Sequence, residues 1–187
     1  MRLFLALELP PAAAEEIAAA IAPLRDAEPG LAWVPVHKLH LTLKFLGDAD
    51  DARVALLAEA LDRVAGQHRP FEMTIAGAGA FPNFRRPRVV WMGVEGESRL
   101  EFLHHDVEIA AEEVGYDLEG RPFRPHITLA RVRAPLPAER LRTLARVARR
   151  LDHSSTAYVD RLTLFDSVPG ESGAHYRRLH AATLGGR

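Results

Sequence analysis

The sequence predicts an α+β fold of two lobes around a central cleft, and three observations lead there. Short apolar runs alternate with longer amphipathic ones, without a strict strand–helix–strand rhythm. A four-residue motif, His40-Leu41-Thr42-Leu43, returns 86 positions later as His126-Ile127-Thr128-Leu129. The length, 187 residues, suits one domain or two small lobes sharing a core. Two copies are too few for a solenoid, so they read as lobes related by a pseudo-twofold within one domain, 1–187.

Leu3 to Leu7 reads as a buried strand. Pro10-Pro11 then opens a helix through about Arg25, because proline is tolerated in a first turn. Glu28-Pro29-Gly30 is a turn. His40 to Leu46 is a strand ended by Gly47, and Asp48 to Asp51 offers acidic caps for a helix reaching Ala65 and stopping at Gly66. Phe71 to Ile75 and Arg88 to Val94 are further strands. From Ser98, Leu100, Leu103, Val107, Ala111 and Val114 recur at three- and four-residue steps, a core-facing stripe that ends at Gly115. His126 to Val132 is a strand and Leu136 to Leu151 a basic amphipathic helix. Tyr158 to Phe165 and His175 to Leu179 close the chain as strands. Phe81 to Pro87 and Val168 to Gly173 read as exposed loops.

Composition excludes several classes. The absence of cysteine removes disulfides, thiolate nucleophiles and cysteine zinc sites, and fits a reducing cytoplasm. The opening apolar run is too short for a signal peptide, and no stretch approaches a membrane span. A net charge of −1 argues against a general nucleic-acid coat. All the basic residues except Lys38 and Lys44 are arginines, whose planar fork matches phosphate oxygens, so a local phosphate site stays open. With neither a strong heptad nor a large apolar face, a monomer is expected.

The repeated motif carries the chemistry. In a strand, residues two apart share a face, so His40 and Thr42 point one way, Leu41 and Leu43 the other, and likewise in the second copy. The apolar pairs can sit in the core while two histidines and two hydroxyls converge. A neutral imidazole takes a proton from water, an imidazolium gives one to a leaving alkoxide, and threonine hydroxyls hold phosphoryl oxygens as charge builds. These are the parts for in-line displacement at a phosphodiester. Position alone does not say which histidine is the acid.

His40-Leu41-Thr42-Leu43-Lys44-Phe45-Leu46-Gly47 and Arg124-Pro125-His126-Ile127-Thr128-Leu129-Ala130-Arg131 resemble the paired motifs of the two-histidine phosphoesterase superfamily. The similar branch is the RNA 2',3'-cyclic phosphodiesterases, also called 2'-5' RNA ligases. Arg2 to Leu7, Trp33, Arg88 to Val94 and Gly173 to Tyr176 extend the resemblance over nearly the whole chain. It implies a bilobal fold of two mostly antiparallel sheets flanked by helices, and hydrolysis of a terminal RNA 2',3'-cyclic phosphate to a 2'-phosphate without metal or cofactor. Carried over, His40 is the proton donor to the departing 3'-oxygen and His126 the base that activates water. Thr42, Thr128 and Arg131 hold the phosphate. Strict alternation puts Arg131 on the face away from the cleft, so a strand end or bulge is needed to re-aim it.

Tyr176 is either a base or ribose contact or part of a packed terminal strand, and His175 shares that ambiguity. Among the aromatics Phe45, Phe81, Phe84, Trp33 and Trp91, Phe84 is the expected base contact, beside a cluster, Arg85-Arg86-Pro87-Arg88, suited to steering an RNA 3' end. His37 reads as a surface residue, as do His68, His153 and His180. His104 and His105 diverge on their helix and make a poor chelate. The rival readings are other substrates of the same superfamily (2'-5' oligoadenylate, a cyclic ADP-ribose phosphate, 2'-5' RNA ligation) and an RNA-end-binding module that does no chemistry.

Overall fold

The computed structural model describes residues 1–95, 98–170 and 173–185. Its elements run β1 (Arg2–Glu8), α1 (Pro11–Ala20), α2 (Ala22–Ala27), β2 (Ala32–Trp33), a 3₁₀ turn (Val36–Lys38), β3 (His40–Asp48), α3 (Asp51–Ala65), β4 (Phe71–Phe81), β5 (Val89–Val94), α4 (Ser98–Glu113), β6 (His126–Arg131), α5 (Ala138–Arg149), β7 (Ser154–Val159), β8 (Arg161–Val168) and β9 (His175–Thr183). The α+β expectation holds, but the two sheets that the resemblance implies are joined into one, because β3 and β6 pair across the middle.

The strands form one antiparallel sheet in the order β7-β4-β5-β6-β3-β1-β8-β9, with β2 added beside β6. The two halves meet in the middle, where β3 and β6 pair at Leu41 with Ile127. Both side chains are fully buried in the main apolar cluster, which draws on strands and helices of both halves.

Both faces of the sheet are apolar in the first half, which is why Leu3 to Leu7 are all buried. Leu3, Leu5 and Leu7 enter the main cluster. Phe4 and Ala6 lie on the opposite face with Phe165 and Tyr176. That opposite face, not the helix-packed one, carries the motif histidines.

Three expectations about elements need correction. The helix expected through Arg25 breaks at Ile21, because Pro23 in the first turn of α2 cannot donate to the preceding turn. The strand expected at Phe71 to Ile75 runs on to Phe81, bulging at Gly77, where φ is 70°. The strand expected at Tyr158 to Phe165 is two: β7 pairs with β4 at one edge of the sheet, and β8 pairs with β1 in the other half. Asp160 marks the crossing. An unbroken apolar alternation hides such a change of partner. Of the acidic cap candidates, Asp50 caps α3, its carboxylate accepting from the Arg53 amide at 2.9 Å. Part of the expected loop at Val168 to Gly173 lies outside the described residues.

Candidate active site

The register of the central strands brings the two motifs together. Leu41 opposite Ile127, continued along an antiparallel pair, sets His40 on the side of Thr128 and Thr42 on the side of His126. All four side chains lie on the open face and are partly exposed.

Each histidine is held the same way. His40 Nδ1 donates to the Lys38 carbonyl at 2.7 Å, and His126 Nδ1 donates to the Arg124 carbonyl at 2.7 Å. A carbonyl only accepts, so this bond places the proton on Nδ1 and leaves Nε2 facing outward. His40 Nε2 lies 3.1 Å from the Thr42 hydroxyl. Aromatic walls flank both rings. Phe4 stands 5.2 Å from His40 and Tyr176 meets it edge-on at 5.3 Å. On the other side Phe81 meets His126 edge-on at 4.9 Å, and Trp91 lies 6.4 Å away.

A bulge repeated in both halves decides what else joins this face. Leu5 pairs with Lys44 but Ala6 with Thr42, so Leu43 is an extra residue on β3. Val90 pairs with Ala130 but Trp91 with Thr128, so Leu129 is the matching extra residue on β6. After each bulge two consecutive residues point inward, Leu43 with Lys44 and Leu129 with Ala130. The next residue then returns to the open face. On β6 that residue is Arg131, re-aimed as its proposed role needs. On β3 it is Phe45, 71% exposed.

The electrostatics are asymmetric. His40 has its pKa held below its ordinary 6.5, first by burial, with the charge of Arg131 and then His126 adding to it; the Lys38 carbonyl and Glu8 oppose. Glu8 stands opposite His40 in the β1–β3 register, accepting from Thr163 Oγ1 at 2.7 Å and pairing with Arg178 at 2.5 Å. The equivalent place opposite His126 is Gly93. The sequence reading missed Glu8, since a glutamate at a strand end carries no local signal, and it missed Phe4; Phe81 and Trp91 were among the aromatics it considered, but it preferred Phe84.

Of the remaining candidates, Tyr176 is beside His40, and Lys38 Nζ donates to the Ala174 carbonyl at 3.0 Å beneath it. Phe84 packs half-buried against the main cluster at the head of the arginine loop. His37 is exposed and lines a 630 Å³ cavity with Glu8 and Arg178. His104 stacks on Phe123 with centroids 3.8 Å apart. His68 pairs with Asp106, and His180 with Asp62. Among the described residues, no helix is long and apolar enough to cross a membrane, and no three His, Asp or Glu side chains are grouped to hold a metal ion.

An antiparallel α+β sheet of this plan is shared with solved phosphoesterases. The chain superposes on Escherichia coli LigT, crystallised with 3'-AMP, at a TM-score of 0.75 and 28% identity, covering 98% of this chain and 97% of that one. The chain belongs to the 2'-5' RNA ligase superfamily, which matches residues 10–171. Among similar curated proteins, the RNA 2',3'-cyclic phosphodiesterase of Geobacillus stearothermophilus is 38% identical over 75% of this chain, which spans 46% of that relative's length. The protein of the same name from Methanothermobacter thermautotrophicus is 32% identical over 77% of this chain and 78% of its own length.

Proposed function

We propose that this protein is an RNA 2',3'-cyclic phosphodiesterase, hydrolysing a terminal 2',3'-cyclic phosphate to a 2'-phosphate without a metal. The observation that carries the reading is the Leu41–Ile127 pair, whose register brings both motifs' histidines and threonines onto one open face, with each Nδ1 spent on a backbone carbonyl and each Nε2 left for chemistry. The names of the relatives support the same activity.

The reaction is an in-line displacement at phosphorus. Water attacks opposite the 3'-oxygen and gives its proton to neutral His126 at Nε2. The P–O3' bond breaks, and protonated His40 delivers the proton from its Nε2 to the departing oxygen. Thr42 and Thr128 donate to the non-bridging oxygens, and Arg131 adds its charge where negative charge collects. Tyr176 beside His40, and Phe84 at the Arg131 end, offer aromatic surface to a base or ribose.

One observation favours exchanged roles. Burial holds His40 neutral in the free protein near neutrality, and neutral is the form a base needs. The bound phosphodiester anion opposes that shift and restores the proton an acid needs.

The test is turnover of 2',3'-cyclic AMP and of a short RNA ending in a cyclic phosphate, with excess EDTA. The expected product is the 2'-phosphate, with His40→Ala and His126→Ala each slower by about 10²–10⁴-fold. A 3'-phosphate product reverses the leaving group and the two histidine roles. Activity lost to EDTA and restored by a divalent ion overturns the metal-free mechanism.

A further inference from the structure

The likeness of the two halves fails next to the histidines. Glu8 of β1 stands opposite His40, whereas Gly93 of β5 stands opposite His126. Directly opposed residues of an antiparallel pair share a face, with Cβ atoms about 4.5–5.5 Å apart, so the Glu8 side chain rises from the open face beside the His40 ring. No side chain can take the matching place. A Cβ on Gly93 would stand 2.8 Å from the Ala76 carbonyl and 3.4 Å from the Trp91 ring. A carboxylate beside the site opposes a bound phosphodiester anion, so Glu8 must bring a gain of another kind.

That carboxylate is fixed in place. Thr163, fully buried, donates its hydroxyl to Glu8 Oε1 at 2.7 Å, and Arg178 donates to Oε2 at 2.5 Å. The Glu8 side chain is 26% exposed and that of Arg178 52%, so water screens the cation more than the anion and His40 meets net negative charge from the pair. The other groups around the ring are Arg131 and His126 on β6, Lys38 on the 3₁₀ turn and the Tyr176 phenol on β9. Arg131 and His126 drive the imidazole toward its neutral form, as burial does, and Glu8 acts against them.

We propose that Glu8 is a positioning residue for the proton: set across the strand pair from His40 and held by Thr163 and Arg178, its carboxylate keeps an imidazolium at His40 for delivery to the departing 3'-oxygen, a partner that Gly93 denies to His126. This role rests on the proposed cyclic phosphodiesterase reading and adds to it a residue outside the repeated motifs.

The test is the pH dependence of kcat for 2',3'-cyclic AMP, together with the titration of the His40 ring followed by NMR, in Glu8→Gln and Arg178→Gln. Glutamine keeps an acceptor for Thr163 and removes the charge. Loss of an anion lowers the pH at which His40 gives up its proton, and loss of a cation raises it. Glu8→Gln is therefore expected to move the alkaline limb of kcat and the His40 midpoint down by about one pH unit, with kcat at about pH 8 roughly tenfold lower and KM no higher than in wild type. Arg178→Gln is expected to move both up, and Glu8→Asp to restore most of the wild-type limb. An ion pair that merely braces the fold gives the same change from either end, so shifts of one sign, or none, overturn the proposal. A shift confined to the acidic limb also overturns it, because the charge then serves the base. Arg178 is half-exposed, so its variant decides the matter if Glu8→Gln does not fold. If wild type does not turn over cyclic AMP, the catalytic reading fails and the NMR midpoints judge Glu8. Opposite shifts then support its hold on the His40 proton, and unmoved midpoints overturn it.

Discussion

At the residue scale, the two histidines share one posture and differ in surroundings. Their roles are separable by the leaving group. A phosphodiester that expels p-nitrophenolate needs no proton at the departing oxygen, so His40→Ala should cleave it at close to the wild-type rate while His126→Ala stays inactive. Rescue of His126→Ala instead would assign it the acid. A second consequence concerns stability. His40 and His104 have pKa values lowered mainly by burial. Below their ordinary 6.5 the unfolded chain takes up protons that the folded chain refuses, so stability falls as pH falls. Denaturant midpoints measured on both sides of that value should show the drop, and His104→Phe, which keeps the stack on Phe123, should shrink it. An unchanged slope in that variant would relieve His104 of any part in it.

At the element scale, the paired bulges matter most. Strict alternation through Leu41 to Leu46 would send Lys44 outward with the histidine and Phe45 inward; the extra residue at Leu43 reverses both. Lys44 is buried in consequence, and it donates to Glu108 at 2.7 Å and to the Asp117 carbonyl at 2.8 Å, so the first motif's strand pins the loop that precedes the second motif. Lys44→Ala leaves Glu108 uncompensated and should cost about 3–5 kcal/mol in urea unfolding. A loss within experimental error of zero would mean that water replaces the ammonium. The motifs and their faces were legible because their apolar–polar alternation is clean up to the threonines. The bulge on β3 was not, since a bulge leaves no mark in a run where polar and apolar residues fit either face; on β6 a strand end or bulge was called for only because the resemblance needs Arg131 at the phosphate. Nor was the β7–β8 boundary, where one alternating stretch changes its pairing partner. Glu8 stayed hidden because its meaning depends wholly on the strand it faces.

For the whole molecule, the apolar cluster is continuous across both halves and the sheet is joined through its middle. Residues 1–187 should therefore behave as a single bilobal domain, unfolding in one transition with equal calorimetric and van't Hoff enthalpies. A van't Hoff enthalpy well below the calorimetric one would mean two units that melt apart. The repeat has a subtler consequence. A dyad offers a phosphodiester two equivalent ways to lie, and a perfectly two-fold catalyst would have no sense of direction along an RNA strand. Direction must come from whatever breaks the likeness, and the bulges do so most sharply, exposing an aromatic ring at Phe45 and a cation at Arg131 in matching places. Exchanging them, Phe45→Arg with Arg131→Phe, should erode the preference for the 2'-phosphate over the 3'-phosphate product; an undiminished ratio would assign the sense of direction to Glu8 and Gly93 instead. On this view the histidines cut, and their unlike neighbours tell the protein which way the strand runs.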